Sequence, residues 1–269
     1  MIRHRHGSEF FLFTQHDHAL LSGQLAERIG GGPIDRPSPR TIEGIALHDS
    51  GWPLHDDAPT LNPKAEPLHV FETPPVIATR VWTASARRAA LVDPYSGLLV
   101  SLHGLHLSLM AQASHQSPHD VFELNKFQHA QIELQENLRP QVGLRVDRPL
   151  THGLAAPGES PEEDTLRADF QLLRALDSLS LAVLCSEEMM TTNNTLQANR
   201  GGGSITLRTE RTSPFSVLVN PWIFSEGAFE LPIRFRSVPS KPFHTEKDFQ
   251  IAYANASAEV RTVLIEKGT

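Results

Sequence analysis

Leu21, Leu25 and Ile29 recur at four-residue spacing, and this stripe predicts an amphipathic helix from about residue 14 to residue 29. Thr14 is placed to cap it, with Asp17 three positions on, and Gly30-Gly31-Gly32-Pro33 ends it. Before it, the run Ser-Glu-Phe-Phe-Leu-Phe over 8–13 predicts a short strand or extended entry. A second short helix is expected with Thr41 as its cap and Leu47 near its end, stopped by Gly51-Trp52-Pro53. Residues 53–75 have no period and many prolines and aspartates, which predicts an ordered loop that lines or covers a site. Helical patterns follow over 76–91, 94–114 and 119–138. After a loop at 149–160, the acidic turn Pro161-Glu162-Glu163-Asp164 opens a helix that continues to about Cys185. The pattern then changes to short alternating runs at 206–211, 215–219 and 231–238, which predict strands of a small sheet. Residues 246–266 return to a helical pattern, and 193–203 read as a flexible connection.

The chain has 269 residues, enough for one large domain, or for a domain of roughly 180 residues with a smaller appendage. Its hydrophobic fraction of 39% is low, but the apolar stretches at 98–112 and 166–185 can supply a core. A formal charge of −7 argues against a broad nucleic-acid surface, which needs clustered Lys and Arg. It leaves room for a small phosphorylated substrate in a local basic pocket. The single cysteine, Cys185, excludes an internal disulfide, fits a reducing compartment and reads as a buried apolar residue. No stretch is long and apolar enough to span a bilayer, and Phe10–Phe13 is too short for a signal peptide. These features predict a soluble, cytoplasmic protein with no nucleic-acid or membrane partner.

Four His-Asp dipeptides occur, at 16–17, 48–49, 55–56 and 119–120. The pair His48-Asp49 stands out, because an apolar helical run precedes it and Gly51-Trp52 follows. His18 and Asp177 lie on two longer predicted helices, Asp177 within the apolar string 172–181. A carboxylate buried there is costly without a partner, and a cation is a natural one. Two imidazoles and two carboxylates can enclose a divalent transition metal, one ion or two, drawn from Fe, Mn, Zn, Ni or Co. Such an ion acidifies a bound water.

The strings Gln-His-Asp-His-Ala (15–19), His-Asp-Ser-Gly-Trp (48–52), Ser-Leu-His-Gly (101–104) and Asp-Ser-Leu-Ser-Leu (177–181) resemble the HD superfamily of metal-dependent phosphohydrolases, in an uncharacterised bacterial branch. The resemblance covers about residues 10–190. It implies a mostly α fold: an HD-type helical bundle over 8–190 that carries the metal site, with a small α+β portion over 204–269 packed on it. It implies His18, His48, Asp49 and Asp177 as metal ligands. Asp49 would also orient the attacking water, and His103 would bind a second metal or the leaving group. His106, one turn beyond His103, is a further candidate ligand. The implied activity is hydrolysis of a phosphoester or related bond in a small molecule. Rival readings within that fold are a di-iron oxygenase and a non-catalytic metal- or ligand-binding protein. The C-terminal portion would control substrate access or form a homo-oligomer contact.

Other residues carry less. His16 falls two positions from His18 and points away from a shared ion, and His129 sits on an exposed helix. His55, Asp56 and Asp57 read as a solvated loop. Arg80, Arg87 and Arg88 fit an exposed helix face as well as an anion site. Trp52 fits the core or the floor of a pocket. Gly201-Gly202-Gly203-Ser204 lacks the Lys of a phosphate loop, and no Gly-x-Ser-x-Gly elbow is present.

Overall fold

The fold begins with a hairpin whose second strand is apolar on both faces. In a computed structural model, which describes residues 1–114, 117–145, 160–185, 190–198 and 203–268, strand β1 (Ile2–His6) pairs antiparallel with β2 (Glu9–Phe13). Phe11 and Phe13 of β2 enter the main core, while Phe10 and Leu12 pack on the opposite side. Eight α-helices follow among the described residues: α1 (Gln15–Glu27), α2 (Pro39–Leu47), α3 (Pro53–Asp56), α4 (Pro75–Val92), α5 (Pro94–Ser114), α6 (Pro118–Leu138), α7 (Pro161–Leu184) and α8 (Glu246–Asn255). The remaining strands are β3 (Thr191–Gln197), β4 (Ser204–Ser213), β5 (Ser216–Asn220), β6 (Phe229–Pro239) and β7 (Ala258–Lys267).

All seven strands form one half-barrel sheet in the order β1-β2-β6-β7-β5-β4-β3, antiparallel except where β5 meets β7. Strand β6 alternates strictly at its start. Phe229, Leu231, Ile233 and Phe235 face the core, and Glu230, Pro232 and Arg234 face out. Helices α7 and α1 lie against the inner face, α7 on β3, β4 and β5 and α1 on β6, and α2, α4, α5 and α6 pack on these and on one another. Helix α8 covers the outer face, where Phe249 and Tyr253 meet Phe10, Leu12 and Val238.

This architecture corrects the expected fold class. The chain is α+β with a large mixed sheet, not a helical bundle with a small β appendage. Three local misreadings produced the error. The predicted helix over 246–266 stops at Asn255, and β7 takes the rest. Val260, Val263 and Leu264 have helical spacing, but Val260, Thr262, Val263 and Ile265 are β-branched and sit between two partner strands. Residues expected to be flexible at 193–197 belong to β3, which is polar because it is an edge strand. Residues 199–202, including Gly201 and Gly202, and the loop residues 149–159 lie outside the described residues. Strand β1 went unpredicted, since Ile-Arg-His-Arg-His reads as polar.

Side-chain caps set the starts of α1 and α2. Thr14 caps α1 by accepting from the Asp17 N–H at 3.0 Å. Helix α2 is capped by Ser38, three residues before the expected Thr41, with Pro39 in its first turn. Among the described residues no helix is long and apolar enough to cross a membrane.

Small residues bring the site-bearing helices together. A Cβ added to Gly23 of α1 would stand 2.7 Å from Cβ of Ala46 on α2, and one on Gly44 of α2 would stand 3.1 Å from Leu99 of α5. Gly23→Ala therefore sets helix propensity, a gain of about 1 kcal/mol, against overpacking, a loss of about 1–3 kcal/mol. The backbone of α2 is also close, so overpacking is expected to win. A urea midpoint lower than that of the unaltered protein checks this; a raised midpoint would contradict the close packing of α1 on α2.

Candidate metal centre

Five polar side chains from four helical segments meet at one buried point. His18 projects from the first turn of α1, His48 is the C-terminal cap of α2, Asp49 follows it, His103 comes from α5 and Asp177 from α7. His18 is fully buried, and the Asp177 side chain, at 13% exposure, is the most open of the five. The turn that carries His48 and Asp49 is held against α4. Gly51 N–H donates to Ser85 Oγ at 2.8 Å, and the Arg88 guanidinium donates to the Ser50 carbonyl. A Cβ at Gly51 would collide with the Val81 carbonyl at 2.1 Å, so only glycine permits this approach.

The Nε2 atoms of His18 and His48 stand 3.2 Å apart. Asp177 Oδ1 lies 3.1 Å from the first and 3.6 Å from the second. Asp49 Oδ2 lies 3.6 and 3.7 Å from the same two atoms. Ligand atoms about 2.0–2.2 Å from one ion stand about 3 Å apart at right angles and about 3.4 Å apart in a tetrahedron. The observed separations span those values. His103 extends the group: its Nε2 is 3.5 Å from the other oxygen of Asp177, Oδ2. Two triads can thus be drawn, His18/His48/Asp49 and His48/His103/Asp177, and they share His48.

Outer contacts fix which nitrogen of each ring faces inward. His48 Nδ1 lies 2.7 Å from the Ile45 carbonyl, which can only accept, so Nδ1 carries a proton and Nε2 presents a lone pair. Ser180 Oγ donates to the Asp177 carbonyl at 2.8 Å and accepts from His18 Nδ1 at 2.6 Å. His18 Nε2 then also presents a lone pair. Asp49 Oδ1 accepts from the Trp52 indole at 3.0 Å, which leaves Oδ2 for the centre. Two imidazole nitrogens and two carboxylates facing each other in a buried space require a positive charge, a proton on a ring or a metal ion.

The electrostatics agree. Burial by itself would lower the His48 pKa, but the charges of Asp49 and Asp177 outweigh it and push it up to about 9. Burial would raise Asp177, yet hydrogen bonds from His18 and His48 hold it well below the usual carboxylate range. Burial pushes Asp49 up. In the absence of a metal, a proton on His48 supplies the positive charge, and a metal ion would displace it. His103 is pushed down to about 3 by burial, so it is a neutral imidazole at physiological pH. Its Nδ1 is buried without a hydrogen-bond partner.

Other candidates fall outside the cluster. His106 belongs to neither triad; it stands edge-on to Phe170, with ring centroids 5.9 Å apart. His16 is also outside, and His129 bonds its own helix backbone. The expected solvated loop at 55–57 is partly helical, with His55 and Asp56 buried. Asp56 serves the scaffold, pairing with the Met1 amino group at 3.1 Å. Sequence reasoning missed Ser180 and Gln15. Each stands three positions from a cluster residue on the same helix, Ser180 after Asp177 and Gln15 before His18, and that spacing is the signal that could have found them.

Beside the cluster lies a cavity of about 320 Å³. Asp49, His103 and Asp177 form part of its wall, and Val70, Phe71 and Thr73 from the segment before α4 form another part.

Fold and site together define an α+β protein whose helices enclose a His/Asp centre suited to a metal ion and open to a small cavity. The chain belongs to the family DUF3891, described as a protein of unknown function, whose model matches residues 1–240. No curated protein and no solved structure matches it. This corrects the HD assignment: the family matched is a different one, and a seven-stranded sheet stands where a helical bundle was expected.

Ser180 orients His18 without reaching the centre itself. Ser180→Ala is expected to weaken metal affinity about 10–100-fold, and Ser180→Thr to retain most of it. Competition against a chromophoric chelator measures both; equal affinity in the alanine variant would remove the role given to Ser180.

Proposed function

We propose that this protein is a metal-dependent hydrolase of a small molecule. The observation that carries the reading is the convergence of two imidazole nitrogens and two carboxylates on one buried point beside a cavity. His18, His48, Asp49 and Asp177 would hold a divalent transition metal, and when bound it would acidify water near neutral pH. Asp49 is oriented by Trp52 and lines the cavity, so it is placed to accept a proton from water. His103 lines the same cavity as a neutral imidazole whose Nδ1 is free to bond a leaving group. Asp177 connects the two, with one oxygen toward His18 and His48 and the other toward His103.

The overlap of the two triads at His48 favours a second reading, an oxygenase in which His18, His48, Asp49, His103 and Asp177 would hold two irons. Elemental analysis separates the readings, on protein purified without chelator or affinity nickel and compared with a His48→Ala, Asp49→Ala double variant. The hydrolase predicts about one divalent ion per chain, lost in the double variant, with turnover in a screen of esters, amides and phosphoesters. Two irons per chain would shift the assignment to the oxygenase. No metal in the unaltered protein, even after reconstitution, would exclude both.

A further inference from the structure

The cavity wall is apolar around the cluster. Trp52, Phe71, Trp82, Leu107, Met110 and Leu181 contribute to it, and among the described residues no Lys or Arg lines it. Its charged lining residues are the two carboxylates of the centre, Asp49 and Asp177. A phosphate dianion entering here would lose its water against indole and aliphatic carbon; among the described residues no guanidinium or ammonium lines the wall to receive it, and a divalent ion in the centre would already be balanced by Asp49 and Asp177. At about 320 Å³ the space is at the small end of ligand pockets, which run from roughly 300 to 1,000 Å³.

Two polar side chains in this wall have an unmet bond, His103 at Nδ1 and Gln15 at its amide, and the amide is the one outside the cluster. Gln15 is 1% exposed and lines the cavity, and its Nε2 is buried without a hydrogen-bond partner. A buried amide donor left unpaired is unfavourable, so an acceptor brought by a ligand would recover a bond already missing. Gln15 lies three residues before His18, on the same face of α1. Its backbone is fixed by donation from its N–H to Asp56 Oδ2 at 2.9 Å. The helix position that carries the donor is therefore anchored one turn from the centre.

We propose that the cavity takes an uncharged small molecule with an apolar, ring-sized body and one carbonyl group, whose oxygen accepts from Gln15 Nε2. This rests on the reading of the cluster as the reactive centre. For the hydrolase, the substrate class is then a carboxylic ester or amide. Water adds its oxygen to the carbonyl carbon and the bond to the alcohol oxygen or amine nitrogen breaks. That leaving atom takes one proton. The acid's proton goes to solvent in ester cleavage, and stays on the amine in amide cleavage. Gln15 is a positioning residue in this scheme.

The test is binding, read by titration calorimetry and by the fluorescence of Trp52 and Trp82, on metal-loaded protein of known metal content. The probes are phenylacetamide, phenyl phosphate and isobutylbenzene, which matches the amide in shape but has no acceptor. Phenylacetamide is expected to bind at least tenfold more tightly than phenyl phosphate. Gln15→Met, which keeps length and removes the donor, should weaken phenylacetamide about three- to tenfold and leave isobutylbenzene unchanged. Ala111→Phe, which fills the cavity, should abolish binding of both. Tighter binding of phenyl phosphate would overturn the proposal, and this comparison needs no variant. So would a Gln15→Met variant that weakens amide and hydrocarbon alike, or neither. Metal content keeps the two readings apart. Metal-free protein that still prefers the amide through Gln15 would sink the hydrolase and leave the ligand class standing. Metal-loaded protein that prefers phenyl phosphate would do the reverse.

Discussion

Two imidazole nitrogens and two carboxylates cannot share a buried space without a positive charge among them. Removing an isolated carboxylate from water into such a place is prohibitive, and two of them in company with bare nitrogens are worse. The protein nonetheless builds this arrangement with care. The Ile45 carbonyl fixes the His48 tautomer, Ser180 fixes that of His18, and the Trp52 indole turns Asp49. These three contacts are directional, and each aims an electron pair at the same point. A core polar network selected for stability alone would satisfy its members against one another. Here the members are also fixed from behind, so that their inward atoms converge on one point where a proton or a metal ion supplies the positive charge.

The rest of the fold supports that point. Helix α7 carries Leu172, Leu176, Leu179 and Val183 into the main core with strand residues such as Val217, Leu231 and Ile233, and so holds Asp177 at a set height. Helices α1 and α2 touch closely enough at Gly23 and Ala46 that His18 and His48 meet edge to face, with ring centroids 5.0 Å apart. The turn after α2 is pressed on α4 at Gly51, which stops the His48-Asp49 pair from swinging outward. The sheet supplies no cluster residue. It is the rigid wall against which two of the cluster-bearing helices are registered.

Much of the cluster was legible because its members break the local pattern. Asp177 interrupts an apolar helix, and His48-Asp49 sits where an apolar helix meets Gly51 and Trp52. Residues that offend their surroundings are informative about chemistry. The topology was not legible from them, since the order His, His-Asp, Asp along a chain does not specify what the helices pack against. The sheet was underestimated for reasons of context. β1 and β3 are edge strands that need little apolar sequence, and β7 carries an apolar spacing that a helix would also show. Only pairing with β5 and β6 decides its state. Ser180 and Gln15 are ordinary residues in sequence, and their roles exist only in three dimensions.

The cavity is not separable from the cluster. His103 is followed by Leu107 and Ala111, Asp177 by Leu181, and Asp49 by Trp52, while Gln15 precedes His18. In each case a residue that meets the centre has a neighbour three or four positions away that forms the cavity wall. The same faces therefore hold the centre and shape what approaches it. A change at Leu107 or Leu181 would alter the shape of the ligand space through a side chain one turn from the centre, with the ligand atoms left in register by the helix. That arrangement lets specificity vary while the chemistry stays fixed, and it ties the binding of any small molecule here to the atoms that would act on it.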